Sequence, residues 1–135
     1  MAFQFSTSAR NAALDAIETA VGTSAIMKIR TGSAPATVAT ADSGTVLATL
    51  NLPSDWLAAA SSGSKSKSGT WEDTSADATG TAAHFRIYAS DGTTAHIQGT
   101  VTATGGGGDM TLDNVSIASG QAITITSFTL TAGGA

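Results

Sequence analysis

Two histidines, His84 and His96, are the residues of this 135-residue chain most suited to metal or proton chemistry. They fall in consecutive segments, Ala82–Tyr88 and Thr94–Thr102, where apolar and polar side chains alternate as in half-buried strands. The connection Ser90-Asp91-Gly92 fits a three-residue turn with Gly92 in the left-handed bulge position. That turn sets Phe85 opposite Ile97 and Ile87 opposite Ala95. A two-residue Asp91-Gly92 turn would instead set Ile97 opposite Arg86 and move the apolar set to the wrong face. In the preferred register the outward face carries His84, Arg86, Tyr88, Thr94, His96 and Gln98, with the two histidines as diagonal neighbours. Zinc needs further ligands, and the nearest candidates, Gln98 and Arg86, are poor ones. The pair therefore points to an exposed polar face or a partner contact, and no metal is expected.

The remaining constellations are weaker. Asp109, Asp113 and Asn114 follow a glycine run and offer oxygen ligands of the kind calcium takes. Their spacing fits no EF-hand loop, and turn formation explains these residue types. Gly105–Gly108 could cradle a phosphate only if a helix followed, with a Lys and a Ser or Thr at its start; a strand follows instead. Glu18 and Glu72 are the only glutamates, with no carboxylate or histidine paired to them at a readable spacing. Serines are many, but no Gly-x-Ser-x-Gly elbow occurs. The expectation is a protein that is not an enzyme and holds no cofactor. Trp56 and Trp71 serve either as core or as a platform for sugar stacking.

The elements that must position these residues are built from small side chains. Ala, Gly, Ser and Thr supply more than half of the chain, charged residues 12%, aromatic residues 5%, and there is no cysteine. The length is that of one domain, but the core it can build is thin, so stability is expected to lean on neighbouring copies or a partner. Ala13, Leu14, Ile17, Ala20 and Val21 recur at helical spacing between Ser8 and Val21; Ser6 or Ser8 can cap the start and Gly22 the end. After Gly22 the pattern is β, with Met27 and Ile29 on one face of Ala25–Thr31 and Val46, Ala48, Leu50 and Leu52 on one face of Thr45–Leu52. Pro53-Ser54-Asp55-Trp56-Leu57 reads as a helical turn over residues 54–60. Gly32–Ser43 is a long loop containing Pro35, and Ser61–Gly69, with Lys65 and Lys67, is the loop with the most mobile composition. Met110–Ile117 and Gln121–Ala132 form a last strand pair about Ala118-Ser119-Gly120. Parity changes near Thr126-Ser127, which suggests a bulge or a passage between sheets.

These elements predict a mainly β fold: an antiparallel β-sandwich, jelly-roll-like, with one N-terminal α-helix. The single domain comprises an arm and helix over residues 1–22 and a body over 23–135. The net charge is −4, and Arg10, Lys28, Arg30, Lys65, Lys67 and Arg86 are scattered, which argues against nucleic acid as a partner. No stretch reaches the length of a membrane span, and Met1–Ser6 has no leader character, so the chain is expected in the cytosol unless it leaves within a particle.

Several segments carry a resemblance: Ala9–Ile17, Leu52–Leu57, Ala83–Ile87, Gln98–Val101, and Asp109–Asn114 onward through Gly120-Gln121 to Phe128. Together they resemble small proteins encoded in the head-gene region of tailed bacteriophages. The resemblance implies a virion component, a capsid decoration or cement protein with a jelly-roll-like body. Such a protein would be made in the host cytoplasm and sit on the outer capsid surface, with the major capsid protein and neighbouring copies as partners in a homo-oligomer. Another virion part (tail, fibre base or head fibre) and a carbohydrate-binding module are the alternatives. The contact surface expected from the sequence comprises His84, Arg86, Tyr88, His96 and Gln98 of the hairpin, Pro35 and Lys65 and Lys67 of the loops, and the N-terminal arm.

Overall fold

The computed structural model describes residues 3–135. Helix α1 spans Thr7–Val21. Ser6 is its N-cap, with its hydroxyl oxygen accepting from the Ala9 N–H at 3.0 Å. Gly22 ends it at φ +91°, its N–H donating to the Glu18 carbonyl. The face that packs is narrower than the sequence suggests: Leu14 and Val21 are buried, whereas Ile17 is 40% exposed.

Strands β1 (Ile26–Arg30), β2 (Val46–Asn51), β6 (His84–Tyr88), β7 (Ala95–Ala103) and β8 (Met110–Leu112) form a five-stranded sheet in the order β2-β1-β6-β7-β8. All pairs are antiparallel except β7 with β8, which run parallel, against the all-antiparallel expectation. Three two-stranded ribbons complete the mainly β architecture. They pair β4 (Trp71–Asp73) with β10 (Ile123–Ile125), β3 (Ser64–Ser66) with β11 (Thr129–Thr131), and β5 (Gly80–Thr81) with β9 (Ser116–Ile117). The core joins the two kinds of layer through an aromatic chain. Trp56 and Trp71 lie 6.0 Å apart between centroids, Trp71 and Phe128 5.0 Å, and Phe128 meets Phe85 edge-on at 5.7 Å. Beside the many small residues of the chain, these four rings are among the bulkiest side chains in the core.

Four expectations are corrected. The β6–β7 register pairs Phe85 with Gly99 and Ile87 with Ile97, two residues from the predicted pairing. A two-residue shift keeps every side chain on its expected face. It arises because the connection is longer than a three-residue turn: Ala89 N–H donates to the Thr94 carbonyl, Asp91 accepts from the Thr93 and Thr94 N–H groups, and an extra residue bulges β7 near His96. Residues 54–60 form no helical turn. Trp56 donates its indole N–H to the Gly22 carbonyl at 2.9 Å, and Leu57 bridges to Lys67, which draws this segment out alongside β3. Residues 61–69 are ordered as a tight turn at Ser61–Ser64 followed by β3. Finally, the last two segments do not pair with each other. The parity change at Thr126-Ser127 is real, and it divides Gln121–Ala132 into β10 and β11, which join β4 and β3 respectively.

Candidate functional site

The β6 half of the hairpin's outward face is covered. His84, Arg86 and Tyr88 are fully or almost fully buried, because residues 32–45 fold over them. The reason lies in charge. Arg30 on β1 and Arg86 on β6 turn to the same side of the sheet, and two guanidinium groups under a loop need a counter-charge. Asp42 supplies it. Its carboxylate accepts from Arg30 Nη2 at 2.9 Å, from Arg86 Nη1 at 2.6 Å and from the Tyr88 hydroxyl at 2.8 Å. Arg86 Nη2 also donates to the carbonyls of Thr37, Val38 and Thr40, and Nε to Gln98 Oε1 at 3.1 Å, so one side chain ties the loop to two strands. Gln98 Nε2 donates to the Pro35 carbonyl at 2.8 Å. Burial alone would raise the Asp42 pKa, but the hydrogen bonds from Tyr88 and Arg86 and the charges of Arg30 and Arg86 outweigh it and hold the carboxyl below its ordinary value. Burial and the bond to Asp42 push the Tyr88 hydroxyl up.

His84 lies under the same loop. Its Nδ1 is 2.6 Å from the Gly32 carbonyl oxygen, and since a carbonyl only accepts, Nδ1 carries the proton. His96 is exposed. With His84 opposite Thr100, the two rings sit four residues apart along β7, about 13 Å at strand rise, too far to share an ion. Among the described residues no group of three or more His, Asp or Glu is placed to hold a metal.

Lys65 is also buried rather than presented. Its Nζ contacts Asp15 at 2.6 Å and Glu18 at 2.8 Å on α1, which fastens the helix to β3. Burial would lower the lysine pKa, but the bonds it donates to the Asp15 and Glu18 carboxylates, and their charges, raise it above its ordinary value. Lys67 is half-buried, its Nζ donating to the Gly69 carbonyl and lying 5.9 Å above the Trp71 ring. Of the expected contact residues on the hairpin and the loops, then, only His96 is exposed, with Gln98, Pro35 and Lys67 partly so. Trp56 and Trp71 are both fully buried and present no ring face to a sugar.

The accessible apolar surface lies elsewhere. Phe3 (87% exposed), Phe5 (56%) and Ile17 are the large hydrophobic side chains left in solvent among the described residues, and all three belong to the arm and helix. Phe5, Ala9 and Ala13 continue with Ala132 and Gly133 around a shallow, mostly apolar depression of about 410 Å³. The sequence signal for it is the Phe3-Gln4-Phe5 alternation within the N-terminal arm.

Several carboxylates are engaged by their own chain. Asp73 accepts from the Thr49 and Ser75 N–H groups, Asp77 from the Thr49 hydroxyl, and Asp109 from the Thr100 N–H and hydroxyl. Asp91 is held well below the usual carboxylate range by the Thr94 hydroxyl and by the Thr93 and Thr94 N–H groups. Among the described residues no helix is long and apolar enough to cross a membrane. Comparison with protein-family models, with curated proteins and with solved structures finds no match to this chain.

Proposed function

We propose that this chain is a non-enzymatic virion structural protein, a decoration or cement protein that binds the outer surface of a tailed-phage head beside the major capsid protein. In this reading the five-stranded sheet and its ribbons make a jelly-roll-like sandwich body, and the chain works in many copies. The observation that carries it is the concentration of exposed apolar side chains, Phe3, Phe5 and Ile17, on one arm and helix of an otherwise polar, sparsely charged surface. Exposed apolar groups gathered in one place mark contact surfaces. The resemblance of Ala9–Ile17, Ala83–Ile87 and Asp109–Asn114 to phage head-region proteins supplies the partner.

The test is co-sedimentation of purified protein with heads that lack it. Saturable binding, and a rise in the heat or osmotic stability of filled heads, is the expected result. Recovery in tail fractions alone, or no binding to heads at saturating concentration, overturns the reading.

A further inference from the structure

The chain has six lysines and arginines, and five of them have a carboxylate or carbonyl acceptor at short range. Arg30 and Arg86 share Asp42, and Lys65 holds Asp15 and Glu18. Lys28 donates to the Gly92 carbonyl at 3.0 Å and Lys67 to the Gly69 carbonyl at 2.7 Å. Arg10 is different. Its one side-chain hydrogen bond among the described residues goes to the Thr7 hydroxyl at 3.4 Å, longer than the ordinary range of about 2.7–3.2 Å. Its Nε is buried with no acceptor. The group is nevertheless held in place. Nη1 lies against Gly63, whose φ is +73°, and a Cβ there would collide with the guanidinium, so glycine is what lets Arg10 lie against this turn. The first turn of α1 contains no acidic residue either. On a chain of net charge −4, Arg10 is a localised positive spot without a counter-ion.

Arg10 also lines the apolar depression of about 410 Å³ beside α1. Ala9 and Ala13, one helical turn apart, share that lining with the Phe5 ring, Ala132 and Gly133. Apart from Phe5 and Arg10, nothing in the lining is larger than a methyl group. We propose that the depression takes a large apolar side chain of the partner that stands next to a carboxylate, and that Arg10 pairs with the carboxylate. Each half of this ligand is specified by its own feature. The alanines and Phe5 gain from covering apolar surface, and the planar guanidinium fork suits a carboxylate. A basic segment would meet Arg10 with like charge, and an uncharged apolar one would cover it without an acceptor. The volume, within the range of about 300–1,000 Å³ usual for small-ligand sites, suits one large side chain and its neighbour rather than a whole helix. This deepens the adhesive reading and rests on it for the partner: Phe3, Phe5 and Ile17 supply apolar contact, and Arg10 supplies the charge that orients it.

The test uses purified full-length protein and anilinonaphthalene sulfonate, an aromatic anion with the same two-part chemistry, followed by amide NMR. Saturable binding is expected, with shift changes concentrated at Ala9, Ala13, Ala132 and Gly133 and an affinity that falls as salt is added. Arg10→Gln should raise the dissociation constant about fivefold or more, with Arg10→Lys in between because it keeps the charge without the fork. Lys67→Gln, which removes the same charge at the far end of β3 from Gly63, should leave it within about twofold. The uncharged N-phenylnaphthylamine should bind about fivefold or more weakly than the anion. A thermal melt of each variant shows that it is folded. In co-sedimentation with heads, Arg10→Glu should bind about tenfold more weakly than the parent. Shift changes centred elsewhere, a dye affinity indifferent to Arg10→Gln, or Arg10→Glu protein that binds heads as well as the parent would each overturn the proposal. A parent that binds the dye as described but does not bind heads overturns the cement reading and upholds the ligand chemistry of the depression.

Discussion

Removing Asp42 should cost this protein more than removing any other surface carboxylate. Asp42→Ala leaves Arg30 and Arg86, 6% and 2% exposed, under residues 32–45 with no counter-ion. Breaking a buried pair from one side typically costs ~3–5 kcal/mol. Asp42 itself is 36% exposed, so water reaches its side of the cluster and reduces the expected loss to ~2–3 kcal/mol. For a chain of this size that corresponds to a fall of about 10 °C in melting temperature. Asp42→Asn should recover only part of it, because the amide keeps one acceptor oxygen but turns a donor toward the second guanidinium. Calorimetry gives the stability, and hydrogen exchange at residues 33–44 gives the state of the loop. Acidity supplies a further arm of the same experiment. The Asp42 pKa is depressed in the folded protein, so its contribution is fully present above the unfolded value of about 3.8 and is lost as the pH falls through the lower folded value. The gap between parent and Asp42→Asn should therefore be wide at pH 7 and narrow as the pH falls below about 3.8. A melting temperature within 2 °C of the parent at pH 7, with loop exchange unchanged, refutes the claim that Asp42 compensates the two arginines.

Three other outcomes follow from the packing. Lys65→Met should lower stability by ~1–2 kcal/mol, and amide exchange along α1 should accelerate more than in β1, since the pairs with Asp15 and Glu18 hold the helix to β3. Gly22 and Gly44 both have positive φ, but a Cβ at Gly22 meets open space while one at Gly44 would lie 2.0 Å from the Thr31 carbonyl oxygen. Gly22→Ala is expected to cost about 1 kcal/mol and Gly44→Ala at least twice that in urea unfolding, the strain being common and the clash not. Tryptophan emission should be blue-shifted and resist iodide quenching in the folded protein, as both indoles are buried; a red-shifted, quenchable fraction would show that Trp56 or Trp71 reaches the surface.

Local pattern was enough for much of this fold. The capped helix over Thr7–Val21, the alternation that sends Met27, Ile29, Phe85 and Ile87 inward, and the parity change before Phe128 all depend on residues within a few positions of one another. What local pattern could not supply was partnership over distance. Strand alternation distinguishes the two faces of a sheet but does not say what covers the second, so His84, Arg86 and Tyr88 read as solvent-facing. The covering loop is joined to them by the Asp42 carboxylate, 44 residues from Arg86, and by the carbonyls of Gly32, Thr37, Val38 and Thr40. Lys65 fell to the same ambiguity, since a lysine in a Ser- and Gly-rich segment reads as mobile until a helix 50 residues earlier presents Asp15 to it. The hairpin register turned on the Asp91 side chain, which reshapes its turn without altering the hydrophobic pattern. The sequence by itself determined which residues are apolar on which face, and hence a β protein poor in reactive groups. Only the tertiary structure decided which polar face is sealed by charge pairing and which aromatic side chains stay open, because burial of a charge depends on a partner that no local pattern contains.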